Sequence, residues 1–221
     1  MIPYGKQWIF QQDIDAVVSV LNSSFLTQGP VVPRFEKAFA KKVCAEFAVS
    51  TNSATSALHI ACLALGVEKG DIVWTSPISF VASSNCAIYC GATIDFVDID
   101  RDTYNMSMSA LEQKLQEAEI NGTLPKVVIP VHLAGQSCNM KAIKKLSLKF
   151  GFNVIEDASH ATGAKYNKVP VGSCKYSDVA VFSFHPVKII TSGEGGMAVT
   201  NSPEISLRMA SLRSHGITRD P

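Results

Sequence analysis

Apolar positions along the chain keep two rhythms, and the rhythms alternate. Helical spacing runs through residues 13–22 and 33–43. A short apolar run at 47–51 then leads straight into a helical stretch at 54–65. Beyond it, β-like runs at 71–75, 93–97, 126–131, 153–156, 179–184 and 198–200 are interleaved with helical patterns at 80–90, 109–120, 140–150 and 204–214. Strand runs separated by helices of about 10–15 residues predict βαβ units. The expected fold class is therefore α/β, a mostly parallel mixed sheet flanked by helices. Val127-Val128-Ile129 and Val179-Ala180-Val181-Phe182 read as strands buried on both faces. Ser109 and Glu112 have the spacing of a capping box for the helix they open. Residues 165–176 are the one long irregular stretch, expected as a surface loop or hairpin, and no internal repeat or low-complexity segment is visible.

Composition narrows the class without naming a chemistry. The 221 residues make one large domain, or one domain with a trimmed second, on a prior of roughly 100–200 residues per domain. Apolar residues are 47% and charged residues 18%, which argues against a disordered chain. The formal net charge of +1 leaves no basic field for nucleic acid. No run of about 18 apolar residues suggests a membrane span, and the N-terminal residues lack the apolar stretch of a signal peptide. The six cysteines form no C-x-x-C pair, so no metal site is expected and they read as buried small hydrophobes in a reducing cytoplasm.

In α/β sheets of this kind ligands gather at the carboxyl ends of the strands. Five clusters are polar or small just where a strand stops. Asn52-Ser53-Ala54-Thr55-Ser56-Ala57 follows the first strand and opens a helix, where free N–H groups favour an anion. The same residues also suit an ordinary helix cap. Phe80, in Ser76-Pro77-Ile78-Ser79-Phe80, is an aromatic able to stack on a planar ligand or to join the core. Glu156-Asp157 ends an apolar strand, where a carboxylate can face a cationic ring nitrogen or cap the next helix. Lys188 lies a few residues beyond a buried strand, where desolvation lowers an amine's pKa and makes it nucleophilic. Gly193-Glu194-Gly195-Gly196 reads as a tight turn into the last strand. An anion-binding helix start, an aromatic, an acid and a Ser-x-x-x-x-Lys unit together match a cofactor with a phosphate, a planar ring, a basic ring nitrogen and an aldehyde, which is pyridoxal 5′-phosphate.

On these residues the chain resembles the DegT/StrS-type nucleotide-sugar aminotransferases, which have the fold-type-I pyridoxal phosphate architecture. The likeness extends from Tyr4 to His215. Its most specific unit is Ser183-Phe184-His185-Pro186-Val187-Lys188 followed by Gly193-Glu194-Gly195-Gly196. The resemblance implies that Lys188 is the catalytic Schiff-base lysine and that Ser183 contacts the phosphate. It gives Asp157 the pyridinium nitrogen, sets His160 beside the ring and Phe80 on its face, and assigns the phosphate loop to Ala54 and Thr55. Asn52-Ser53-Ala54-Thr55-Ser56-Ala57-Leu58, Ile78-Ser79-Phe80-Val81-Ala82 and Arg213-Ser214-His215-Gly216 are similar to the branch of the family that serves pseudaminic acid biosynthesis. That branch implies L-glutamate as amino donor and a UDP-linked 4-keto-6-deoxy-N-acetylhexosamine, aminated at C4, as acceptor. Tyr4, Leu26, Thr27, Ala54 and Ser183 would line the sugar pocket.

The resemblance further implies a cytoplasmic homodimer with shared active sites. Residues 1–221 would form the cofactor-binding large domain with an N-terminal helical arm over about 1–45. Family members continue into a small C-terminal domain that does not occur in this chain. The alternatives are a non-catalytic fragment or partner subunit that keeps the cofactor fold, and an aminotransferase acting on a different nucleotide-linked keto sugar. Related sugar dehydratases carry histidine where Lys188 stands, and a Rossmann dinucleotide binder would need the G-x-G-x-x-G that is missing here.

Overall fold

The computed structural model describes residues 5–217. In chain order the elements are α1 (Gln11–Leu21), α2 (Val31–Val43), β1 (Phe47–Thr51), α3 (Ala54–Ala64), β2 (Ile72–Thr75), α4 (Ala82–Tyr89) and β3 (Thr93–Phe96). They continue as α5 (Met108–Asn121), β4 (Val127–Ile129), α6 (Met140–Phe150), β5 (Asn153–Asp157), β6 (Lys165–Tyr166), β7 (Val169–Pro170), β8 (Val179–Ser183), β9 (Gly196–Thr200) and α7 (Pro203–Arg213). The main sheet has seven strands in the order β1-β9-β8-β5-β4-β2-β3. Strands β2, β3, β4, β5 and β8 are parallel neighbours, and β9 is antiparallel to both β8 and β1. It follows that β1 runs the same way as β8. Every strand of this sheet except β9 ends at one edge, and β9 begins there.

Strand periodicity divides the core into layers. Val73, Val127, Ile129, Ile155, Val179, Val181 and Ala198 pack on the side of α3, α4 and α7. Their neighbours Trp74, Val128 and Val154 face the opposite side with α5 and α6. Ala180, Phe182, Met197 and Val199 join α2 on that side through Phe39 and Val43. β4, β8 and β9 are buried throughout, as continuous apolar strands between two helical layers must be.

Helix ends follow local chemistry. Ser53, Ser107, Asn139 and Ser202 each cap a helix by accepting an N–H three residues on. Thus α5 starts one turn-position earlier than the sequence pattern implied. Ser107, not Ser109, is its cap, because Ser107 has the extended backbone that a cap requires while Ser109 already lies inside the helix. The irregular stretch carries the short β6–β7 hairpin, turned by Asn167 and Lys168 in left-handed conformations. Among the described residues no helix is long and apolar enough to cross a membrane. α1 buries none of its residues and leaves Ile14, Val17, Val18 and Leu21 exposed.

Candidate active site

The common strand edge opens into a cavity of about 460 Å³. It is lined by Ser53, Ala54 and Thr55 after β1, by Ser79, Phe80 and Ala82 after β2, and by Val131 and His132 after β4. Asp157, Ser159 and His160 follow from β5, and Ser183, Lys188 and Gly195 from β8 and its loop. Five chain segments far apart in sequence therefore meet because their strands end together. A larger cavity, about 990 Å³, lies between α2, α3 and the end of α7 and contains none of the residues expected to react.

The start of α3 forms one wall. Ser53 Oγ accepts from Ser56 N at 3.1 Å, and Ala57 N donates to Ser53 O. The N–H groups of Ala54 and Thr55 precede the first repeating helical bond, so the cap leaves them for a ligand. Gly196 at the head of β9 makes this approach possible. A Cβ there would stand 2.4 Å from Ser53 C and O and 2.5 Å from Ala54 N.

Asp157 is 4% exposed, and its carboxylate is heavily partnered. Oδ2 accepts from Ser83 Oγ at 2.6 Å, and Oδ1 accepts from Ser159 Oγ at 2.6 Å and Ser159 N at 3.1 Å. Ser79 Oγ lies 2.7 Å from Ser83 Oγ. Since the Ser83 proton is committed to the carboxylate, Ser79 is the donor in that pair. These three hydrogen bonds fix the carboxylate in place and leave it one free acceptor direction.

The neighbouring acid has a different part. Glu156 faces the other side of β5, where Oε2 lies 2.8 Å from His132 Nε2 and Oε1 accepts from Ser177 Oγ. His132 Nδ1 accepts the Cys138 N–H at 3.2 Å. Burial opposes charge on this ring, while Cys138 and the Glu156 carboxylate push its pKa up, and the upward push is the larger. The amide hydrogen aimed at Nδ1 nevertheless leaves no place for a second proton, so the geometry holds the neutral Nε2–H tautomer.

Lys188 sits in a loop that is pinned at its neck. Phe184 N donates to Gly195 O at 2.9 Å, and Phe184 O accepts from Ser192 N and Thr191 Oγ1. The Phe184 ring is locked edge-on against Phe39, 5.3 Å between centroids. Burial lowers the Lys188 pKa, with the Asp157 charge opposing. Burial and the Lys188 charge likewise lower that of His160, again against Asp157. A partly desolvated amine thus stands near a buried carboxylate and an imidazole that favours its neutral form.

The expected residues Ala54, Thr55, Phe80, Asp157, His160, Ser183 and Lys188 all line this one cavity. Phe80 is 72% exposed, so it is not a core residue. Leu26 and Thr27 lie exposed in the linker between α1 and α2 and do not line it. Tyr4 lies outside the described residues. Sequence reasoning missed Ser83, Ser159 and His132. For His132 the signal was present, because a polar residue directly after a buried strand meets the same rule that selected Asp157.

A profile of the DegT/DnrJ/EryC1/StrS aminotransferase family matches residues 8–221. The chain is 42% identical over 219 residues to the UDP-4-amino-4,6-dideoxy-N-acetyl-beta-L-altrosamine transaminase of Campylobacter jejuni serotype O:23/36, covering 99% of this chain and 56% of that protein. Among solved structures, Helicobacter pylori PseC, an aminotransferase involved in the biosynthesis of pseudoaminic acid, superposes with a TM-score of 0.89 at 34% identity, over 99% of this chain and 57% of that one. The PLP form of a putative sugar aminotransferase, Spr1654 from Streptococcus pneumoniae, gives 0.87 at 30% identity, over 99% and 59%. The chain thus spans little more than half the length of the relatives it matches.

Proposed function

From the premise that this chain belongs to the DegT/DnrJ/EryC1/StrS aminotransferase family, we propose that it works as a pyridoxal phosphate-dependent nucleotide-sugar aminotransferase. The amino donor is L-glutamate. The acceptor is a UDP-4-keto-6-deoxy-N-acetylhexosamine, aminated at C4. One observation carries the reading: an anion-binding helix start, a buried acceptor-only carboxylate and a desolvated lysine share one cavity of about 460 Å³.

The residues present fit the cofactor. The Ala54 and Thr55 N–H groups and the Ser183 hydroxyl suit its phosphate, and the glycine at 196 keeps that wall close to the sheet. The free acceptor direction of Asp157 suits a protonated ring nitrogen, and Phe80 suits a ring face. Lys188 suits its aldehyde. When bound, pyridoxal phosphate supplies an aldehyde that takes up and gives up an amino group, and a ring that delocalises the electron pair released at the donor's α-carbon.

The chain's own groups do the rest. The Asp157 carboxylate, fixed in place by three donors, would favour positive charge on its partner nitrogen. Lys188, whose pKa burial lowers against the opposing Asp157 charge, is the amine in this cavity placed to take and return a proton. His160, favouring its neutral form, adds no charge to compete with Lys188. Amino donor and acceptor use the same cavity in turn, which predicts ping-pong kinetics.

Residues 1–221 act as the cofactor-binding large domain, with residues 1–45 as an arm. The bare apolar face of α1 supports that arm's role in pairing two cytoplasmic copies of the protein. Leu26 and Thr27, on the same arm, would then reach a sugar pocket completed by the partner. The test is direct. Pyridoxal phosphate is added to the purified chain, borohydride follows, and the peptides are mapped. A reducible absorbance band with the mass gain on Lys188 is expected. Label on other lysines alone would overturn the assignment.

A further inference from the structure

The loop from β4 to α6 lines the cavity with Val131, His132 and Leu133, and it is held from outside. Its conformation is not one a chain takes unaided. Ala134 has φ 53° and Gly135 φ 89°, two left-handed residues in succession. A residue with a Cβ adopts that region rarely, so its neighbours must impose it. Two side chains do so. His132 Nδ1 accepts from Cys138 N at the far end of the loop. Asn105, from the segment between β3 and α5, bonds both ends of the tight turn itself. Its Oδ1 accepts from Leu133 N at 3.2 Å, and its Nδ2 donates to Gln136 O at 3.0 Å. A carboxamide in one orientation supplies that acceptor and that donor together, which neither a hydroxyl nor a carboxylate does. Asn105 is 4% exposed, and its own main chain is fixed, with Asn105 O accepting from Asp100 N at 2.9 Å.

The stapled turn bears on two residues of the site. His132 N donates to Asp157 O at 3.0 Å, and Asp157 N donates to Pro130 O at 2.9 Å, so the start of the loop is tied to the end of β5. Gly135 lies so close to the next segment that a Cβ there would stand 2.8 Å from His160 O. His160 and Leu133 line the cavity, whereas Asn105 does not. The carboxamide therefore reaches the cavity only through the turn that it holds.

We propose that Asn105 is a positioning residue of this site: through the turn from Leu133 to Gln136 it sets where the main chain of His160, and with it the imidazole, stands in the cavity that holds Lys188 and Asp157. Removing the carboxamide leaves Leu133 N–H and Gln136 O without their partner. The two left-handed residues between them then lose the tie that imposes their conformation, and His160 loses the backing of Gly135. The start of α3 is a separate wall and is not touched by this turn. The proposal rests on the function assigned above only where pyridoxal phosphate is concerned, since the placing of His160 is a property of the chain itself.

The test uses the whole chain without cofactor, isotope-labelled at histidine Cε1, with the His160 signal assigned by its loss in His160→Gln. In the wild type the His160 pKa is lowered by burial and the Lys188 charge, with Asp157 opposing. In Asn105→Ala the signal should move and its titration should rise toward the ordinary histidine value. Gly135→Ala, which pushes on His160 O directly, should move the same signal. Asn105→Asp keeps the acceptor for Leu133 N–H and loses the donor, so it should fall between the wild type and Asn105→Ala, and it carries the test if the alanine chain does not fold. Met209→Ala, a fully buried change in the layer of α3, α4 and α7, lowers stability elsewhere and should leave the signal in place. Pyridoxal phosphate affinity, read by fluorescence titration, should fall roughly 2- to 30-fold in Asn105→Ala, while inorganic phosphate affinity at the α3 start stays at the wild-type value. The proposal is overturned if the His160 signal is unmoved in Asn105→Ala and Gly135→Ala, if Met209→Ala moves it equally, or if Asn105→Ala binds pyridoxal phosphate as the wild type does. A wild-type chain that binds no pyridoxal phosphate would count against the assigned function, and the histidine spectra decide the role of Asn105 in either case.

Discussion

The Ser83 hydroxyl stands 2.6 Å from Oδ2 of Asp157, so a side chain on α4 aims a carboxylate at the end of β5. Hydrogen bonds to a charged group contribute about 1.5–3 kcal/mol, and this acceptor is almost fully buried. Ser83→Ala should weaken pyridoxal phosphate binding roughly 10- to 100-fold, at about 1.4 kcal/mol per tenfold. Ser83→Thr, which keeps the hydroxyl, should stay near the wild type. Equal affinity in all three, measured by fluorescence titration, would remove Ser83 from the site.

Asp157→Asn tests the carboxylate itself. The amide oxygen still accepts from Ser83 or Ser159, so the thermal midpoint should move by only a few degrees. Turnover with the amino donor should fall by orders of magnitude, because a neutral amide no longer favours a protonated ring nitrogen. Wild-type single-turnover rates in this variant would exclude Asp157 from the chemistry.

Lys188 yields a stability signature of opposite sign to its function. Its pKa is depressed in the folded chain, so the unfolded chain binds more protons in the window between the depressed and the ordinary lysine value. Stability rises with pH through that window. Lys188→Met should be at least as stable as wild type to urea near pH 7, and the advantage should vanish above the ordinary lysine range. The same variant should bind no cofactor covalently. A Lys188→Met chain that is less stable at neutral pH than at alkaline pH, relative to wild type, would contradict the desolvated amine.

At Gly196 the space is the constraint. A Cβ would meet Ser53 backbone at 2.4 Å, which only a shift of α3 or β9 relieves. Gly196→Ala should cost about 1–3 kcal/mol, the range for overpacking a tight site. It should also reduce affinity for inorganic phosphate at the α3 start. Unaltered urea midpoint and phosphate affinity would mean that the two segments are not held together as described.

The pair behind the site separates charge from shape. His132→Leu leaves Glu156 buried with only Ser177 as donor, at a cost of about 1.5–3 kcal/mol. Glu156→Gln keeps a carbonyl acceptor for His132 Nε2–H and should cost far less. Comparable losses in the two, read from denaturant midpoints, would argue for a charged imidazole instead of the neutral tautomer.

Much of this molecule is written in local sequence. The two hydrophobic rhythms place every strand of the main sheet to within a few residues, because burial on one face or two imposes a period that side chains cannot evade. The rule that ligands meet strand ends then selects the clusters that hold Ala54, Thr55, Phe80, Asp157, Ser183 and Lys188; the family resemblance singles out these residues within them, and all line the cavity. The cap of α5 falls on Ser107 and not Ser109, because two serines suit the position in sequence and only backbone geometry separates them.

What the chain alone could not decide is which side of a strand matters. Glu156 and Asp157 both carry carboxyl groups and are adjacent and buried, yet alternation sends them to opposite faces of β5. Asp157 shares the face of Ile155, which α3 and α4 cover, and so meets Ser83 seventy-four positions away in sequence. Glu156 shares the face of Val154 and meets His132 and Ser177. A strand apolar on both faces carries no local sign of which layer holds the cavity. That sign comes from the order β8-β5-β4-β2 and from the helices packed on each side, long-range pairings that no window of neighbouring residues contains.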